Sequence, residues 1–116
     1  MNILFVLNDA PYASERAYNA LRLATALTAD ADRTVRLFCV GEGARCAVAG
    51  QIVPEGQHDI EWMLRRFLAG VRQVGVCGTC MDARGITVEM LVEGTHRSSM
   101  DELSAWTAAA DKVLVF

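Results

Sequence analysis

Two kinds of hydrophobic pattern alternate along the chain. Asn2-Ile-Leu-Phe-Val-Leu7 is a near-continuous apolar run, which is how a strand buried on both faces reads. Asn8-Asp-Ala-Pro11 breaks it. Ser14 is placed to cap a helix over residues 15–29, where Ala17, Leu21, Ala24 and Leu27 recur at helical spacing. Thr34-Val-Arg-Leu-Phe-Cys-Val40 alternates and then turns fully apolar, so it predicts a second strand. Gly41-Glu-Gly43 follows, then a short alanine-rich helix around Cys46 and a loop holding Pro54 and Gly56. Ile60, Met63, Leu64, Phe67 and Leu68 mark the clearest helix, with Asp59 at its start and Gly70 near its end.

Residues 73–76 predict a short third strand, followed by Cys77-Gly-Thr-Cys80. Gly85 suits the position just past a helix, so residues 78–84 predict one or two helical turns. Beyond it the pattern suggests a short helix near 88–92 and a minor strand near 95–98. Ser99-Met-Asp-Glu102 is a capping box opening a helix whose Leu103, Trp106, Thr107 and Ala110 share a face. Lys112-Val-Leu-Val-Phe116 closes the chain as a strand. Apolar strands alternating with helices predict an α/β fold: a three-layer α/β/α arrangement with a mostly parallel sheet of about five strands. No repeat or linker interrupts the pattern, so residues 1–116 are expected to form a single domain.

Composition narrows the function. The 116 residues are 53% hydrophobic and 22% charged, which supports one core and excludes disorder. No apolar run is long enough to span a bilayer, so no membrane partner is expected. A net charge of −3 argues against nucleic acid held through phosphate contacts. The first positive side chain is Arg16, so no secretory signal is expected and the cytoplasm is the expected location. Four cysteines in such a chain do not read as a disulfide scaffold.

In an open parallel sheet, ligands bind outside the carboxyl ends of the strands. The loops leaving those ends offer Asn8, Asp9, Tyr12, Glu42, Cys77, Thr79 and Cys80. Cys77 stands out: it follows a strand and precedes a helical turn, where backbone N–H groups stabilise a thiolate. Cys80 lies one turn further on, within reach of a disulfide or a shared sulfur atom. The plainer alternative is that both are small buried hydrophobes. Arg84 follows closely enough to hold a thiolate or an anionic substrate, although solvated surface charge is its simplest reading, as it is for Asp82. Cys39, between Phe38 and Val40, reads as core; Cys46 reads as packing or as a second wall of the same crevice. His58, His96, Trp62 and Trp106 have no spacing that specifies chemistry.

Other chemistries lack their residues. A thioredoxin needs a proline after its CxxC, and Pro11 and Pro54 both precede it here. A zinc site needs four ligands, and no second CxxC or HxxxH is present, so no metal site is expected. Gly41-Glu-Gly43 lacks the third glycine of a dinucleotide fingerprint, because position 46 is Cys46. No phosphate loop is present, and the 8–14 loop lacks the glycine and hydroxyl cluster of a flavin site. No cofactor is expected.

Several segments resemble the DsrE/DsrF-like family: residues 2–8, the helix after Ser14, Val76-Cys-Gly-Thr-Cys-Met-Asp-Ala-Arg-Gly-Ile86, and the ending Met100-Asp-Glu-Leu with Asp111-Lys-Val-Leu-Val-Phe116. The most specific feature is a cysteine after a short apolar strand with a glycine eight residues on, here Cys77 and Gly85. The resemblance implies a flavodoxin-like, DsrE-like domain assembled as a homo-oligomer, a trimer or hexamer. In the family's sulfur-relay members the matching cysteine carries a persulfide and passes sulfur to a partner protein. Those members have small apolar residues where this chain has Gly78-Thr79-Cys80, so the second thiol is an addition that favours two-cysteine exchange.

The expectation is therefore a sulfur-handling protein, a persulfide carrier or thiol-exchange protein of sulfurtransferase-like character. Cys77 is its nucleophile, Cys80 its second thiol, and Asp9, Tyr12, Thr79 and Arg84 its substrate-binding residues. A sulfur donor or acceptor protein would be its partner. The alternative is a non-enzymatic oligomeric module that binds a small ligand or a metal.

Overall fold

The apolar runs at 2–7, 34–39 and 73–77 become strands buried largely on both faces, whereas the run at 112–115 is a half-exposed edge strand. In a computed structural model describing residues 1–116, the elements follow the sequence order. They are β1 (Asn2–Leu7), α1 (Arg16–Leu27), β2 (Thr34–Cys39), a 3-10 segment (Gly41–Ala47), α2 (Ile60–Phe67), β3 (Gln73–Cys77), α3 (Gly78–Ala83), a single 3-10 turn (Val88–Met90), β4 (Thr95–Ser98), α4 (Met100–Ala109) and β5 (Lys112–Val115). All five strands are parallel, in the order β4-β3-β2-β1-β5. The α/β architecture and five-strand sheet are as expected; flavodoxin-like sheets run 2-1-3-4-5 instead.

Strand alternation sorts side chains onto two unequal faces. Ile3, Phe5, Leu7, Val35, Leu37, Cys39, Val74 and Val76 point to one face. They pack there with α1 (Ala17, Ala20, Leu21, Ala24), α2 (Ile60, Leu64, Phe67) and Met81 of α3. Leu4, Phe38 and Cys77 point the other way and meet Trp106 of α4. Trp106 stands edge-on to Phe38 with centroids 6.2 Å apart, and the Arg36 guanidinium covers its ring at 5.5 Å.

Local chemistry sets the helix ends. Asp59 caps α2 by accepting from the Trp62 N–H at 3.0 Å, and Ser99 caps α4 by accepting from the Glu102 N–H at 3.4 Å. Ser14 sits one residue before the N-cap of α1, Glu15; its Oγ still accepts from the Arg16 N–H at 3.1 Å while donating to Asp9 at 2.5 Å. Gly85 ends α3 at φ +66°, the left-handed conformation expected past a helix end.

Two expected helices are smaller than their patterns suggest. The segment around Cys46 is 3-10 throughout. The segment near 88–92 is one turn, because the Val92 N–H leaves it to bond the Ala47 carbonyl at 2.7 Å. On α4 only Trp106 is buried, since a single helix covers that face of the sheet. No helix is long and apolar enough to cross a membrane.

The chain steps outward from β1 to β4 and then returns to place β5 on the far side of β1. Consequently α3 leaves β3 for one face, while α4 leaves the adjacent β4 for the other. Neighbouring strands whose helices diverge leave a crevice at their carboxyl ends.

Candidate functional site

That crevice opens at Cys77. Cys77 ends β3, caps α3 and is 5% exposed. Its Sγ accepts from the Cys80 N–H at 3.3 Å and from the Cys80 thiol at 2.6 Å, and lies 3.4 Å from Thr79 Oγ1. Burial pushes the Cys77 thiol up, but the bonds from the Cys80 thiol, the Thr79 hydroxyl and the two backbone N–H groups outweigh it and hold it below the usual thiol value. Cys80 moves the opposite way: burial and the bond it donates to Cys77 raise it, against the Gly41 N–H that donates to its sulfur at 3.2 Å. Cys77 is thus the more acidic thiol of the pair, and Cys80 donates its proton to it. A disulfide between them would shorten the sulfur contact by about half an ångström.

Beside Cys77 lies a cavity of about 310 Å³, walled by Gly78, Thr79, Arg97, Ser98, Ser99 and Met100. Ser98 is the register partner of Cys77 on β4. The Arg97 guanidinium lies flat across Gly78 and is gripped by Asp82 through two bonds of 2.8 and 2.9 Å.

The expected site residues divide. Thr79 lies in this crevice with Cys77, and Cys80 backs it. Arg84 stands behind Cys80: it donates to the Cys80 carbonyl at 3.1 Å and pairs with Glu42, which also holds Arg45. Asp9 and Tyr12 do not line the cavity. Asp9 accepts from Ser14 and Arg16, and the Tyr12 hydroxyl accepts from the Ile60 N–H at 3.1 Å beside the His58 ring. The Asn8 N–H bonds the Phe116 carbonyl. Arg97, Ser98, Ser99 and Met100 went unnoticed in the sequence as site residues, because nothing in it shows that β4 runs beside β3.

The remaining cysteines are buried outside the crevice. Burial pushes Cys39 up to about 12. Cys46 is raised further, and its thiol donates to the Asp9 carbonyl at 3.3 Å rather than facing the crevice. No three His, Cys, Asp or Glu side chains converge as metal ligands. A second groove of about 350 Å³ between α1 and α2, beside Trp62, holds no nucleophile.

A family model for the DsrE/DsrF-like family matches residues 1–116. The chain belongs to the DsrE/DsrF-like family. This DsrE/DsrF-like chain is similar to protein YchN of Escherichia coli, at 40% identity over 115 residues, covering 98% of this chain and 97% of that one. It is also similar to an uncharacterized protein of Methanopyrus kandleri, at 32% identity over 114 residues, covering 98% and 93%. The crystal structure of the E. coli ychN protein matches with a TM-score of 0.94 at 39% identity, covering 100% of this chain and 99% of that one. A protein of unknown function from Methanobacterium thermoautotrophicum, at 12% identity and a TM-score of 0.70, shares the fold.

Proposed function

We propose that this DsrE/DsrF-like protein carries sulfane sulfur on Cys77 and uses Cys80 as its second thiol. The carrying observation is the Cys77 sulfur, hydrogen-bonded by the Cys80 thiol at 2.6 Å at the mouth of a cavity. Family membership supports a sulfur-relay type of role.

The steps balance. The Cys77 thiolate attacks the outer sulfur of a donor persulfide, R–S–SH. A Cys77 S–S bond forms, the donor S–S bond breaks, and R–S⁻ leaves. An acceptor thiolate can then take the outer sulfur and regenerate the Cys77 thiolate. Alternatively Cys80 loses its proton and attacks the inner sulfur. This forms the Cys77–Cys80 disulfide and expels HS⁻, so the thiol pair is oxidised and the sulfane sulfur reduced. An external dithiol must then reduce the pair.

We also propose a homo-oligomer, a trimer or hexamer, acting in the cytoplasm. Val113 and Val115, on the face that α4 leaves partly open, are 43% and 68% exposed, which supports a covered surface there. Sedimentation should give a mass of three or six chains; a monomer at micromolar concentration overturns this part.

The test of the carrier is mass spectrometry after incubation with a sulfane-sulfur donor. The expected result is one added sulfur on Cys77 in Cys80→Ala, and a Cys77–Cys80 disulfide with released hydrosulfide in the wild type. Folded protein with no added sulfur in the variant and no disulfide in the wild type overturns the proposal. The metal-binding reading has no third ligand near the cysteines to support it.

A further inference from the structure

We infer that the donor Cys77 meets is an amino-acid-sized persulfide bearing a carboxylate, bound between the ends of β3 and β4 with that carboxylate on Arg97. The inference rests on the reading of Cys77 as a sulfur carrier and names its substrate class.

Charge comes first. The chain as a whole is acidic, at −3, yet the cavity wall holds one guanidinium, three hydroxyls and no carboxylate. Thr79, Ser98 and Ser99 supply the hydroxyls. Ser98 turns its proton away from the cavity to Glu102 at 2.6 Å, and the Ser99 oxygen accepts the Glu102 N–H, so the proton of Ser99 stays available. The wall therefore offers an anion the donors of Arg97 that Asp82 leaves free and the proton of Ser99.

Arg97 is placed for that role. Its guanidinium lies over Gly78, directly after the nucleophile, because residue 78 has no side chain to displace it. Asp82 holds only its Nη1 and Nη2 edge, from outside the cavity. The Asp82 carboxylate is 63% exposed, so water screens that pair strongly. A carboxylate entering the cavity can share the remaining donors or take over the fork.

Size comes second. A volume of about 310 Å³ is at the low end for ligand pockets, room for roughly ten waters at about 30 Å³ each. That fits a carboxylate, a short methylene stem and two sulfur atoms. The Met100 side chain supplies an apolar wall for the stem. Cys77 as a residue is only 5% exposed and is reached through this cavity, which favours a small molecule over a persulfide on a protein surface.

The experiment compares sulfur transfer to Cys77 from the hydropersulfides of mercaptopropionate and mercaptoethanol, which differ in their charged end. Single-turnover rates, counting the Cys77 persulfide and the Cys77–Cys80 disulfide together, are read by mass spectrometry and divided by the rates for free cysteine. The wild type should prefer the carboxylate reagent at least about tenfold, or about 1.4 kcal/mol. Arg97→Gln should bring the ratio to that of free cysteine, and Arg97→Lys should keep part of it. Equal normalised rates in the wild type overturn the carboxylate inference, while sulfur on Cys77 or the Cys77–Cys80 disulfide it yields upholds the carrier. Neither product from either reagent overturns both.

Discussion

The Arg97 guanidinium occupies the space where a side chain on Gly78 would begin: its Cζ and Nε lie 2.9 Å from the position a Cβ would take. The glycine between the two cysteines therefore serves a neighbour on β4, not its own backbone, which has no positive φ.

Gly78→Ala should separate the site from the fold. Alanine is the better helix former by about 1 kcal/mol, and the displaced group is the end of a flexible side chain. Thermal unfolding should show stability unchanged or raised by up to about 1 kcal/mol. The ratio of iodoacetate to iodoacetamide alkylation at Cys77 should nevertheless fall, because the cation has left the cavity. An unchanged ratio would show that Arg97 does not govern anion access.

How much of this was legible in the sequence follows from what is local. The apolar run ending in Cys77 identifies a strand with a thiol at its mouth, and Ser99 with Glu102 identifies the start of α4. Strand order is not local. Every carboxyl end is equivalent until the order is known, so Asp9 and Tyr12 ranked with Thr79 although they serve the starts of α1 and α2. Thr95-His-Arg-Ser98 carries no apolar pattern because β4 is an edge strand with a half-open surface. Its pairing with β3, which puts Arg97 and Ser98 beside Cys77, was therefore hidden.

Cys80→Ala removes the closest donor to the Cys77 sulfur. The Cys77 thiol should rise toward its ordinary value, since the Thr79 and backbone bonds remain but the bond from Cys80 is gone. Iodoacetamide alkylation at pH 7 should slow several-fold, with the pH-rate profile displaced to higher pH. Cys80→Ser, which keeps a hydroxyl donor, should fall between. A profile that does not move in Cys80→Ala would mean that the backbone alone stabilises the thiolate.

Cys39 sets part of the alkaline limit of the fold. Its thiol is fully buried beneath α1 and rises from 9.0 in the unfolded chain to about 12. A raised value means the folded state keeps the proton while the unfolded chain releases it. The contribution is complete below pH 9 and is lost as pH rises toward about 12, at up to about 1.4 kcal/mol per pH unit. Cys39→Ala should cost about 1–2 kcal/mol at pH 7 through the cavity it leaves. Its deficit against the wild type should then shrink above pH 9. Urea unfolding at pH 7, 9, 10 and 11 measures the gap directly; a constant gap contradicts the burial argument.

Glu102 sets an acid limit for one element only. Its carboxylate sits over Gly75 of β3, accepts from Ser98 Oγ at 2.6 Å and pairs with His96, tying α4 to β4. Burial raises its pKa, but those two bonds outweigh it and hold the carboxyl below 4.5. A depressed value means stability present above the unfolded value and lost as pH falls through the folded one, so the tie weakens only below pH 4.5. Trp106 reports this, being 8% exposed on the buried face of α4. In a Trp62→Phe background it is the one remaining tryptophan, and its emission should shift to the red below pH 4.5 before the rest of the molecule unfolds. Adding Glu102→Gln removes the titrating group. α4 should then be held more weakly at pH 7, and the separate acid step should vanish. If the step persists in the Gln variant, another carboxylate anchors the helix.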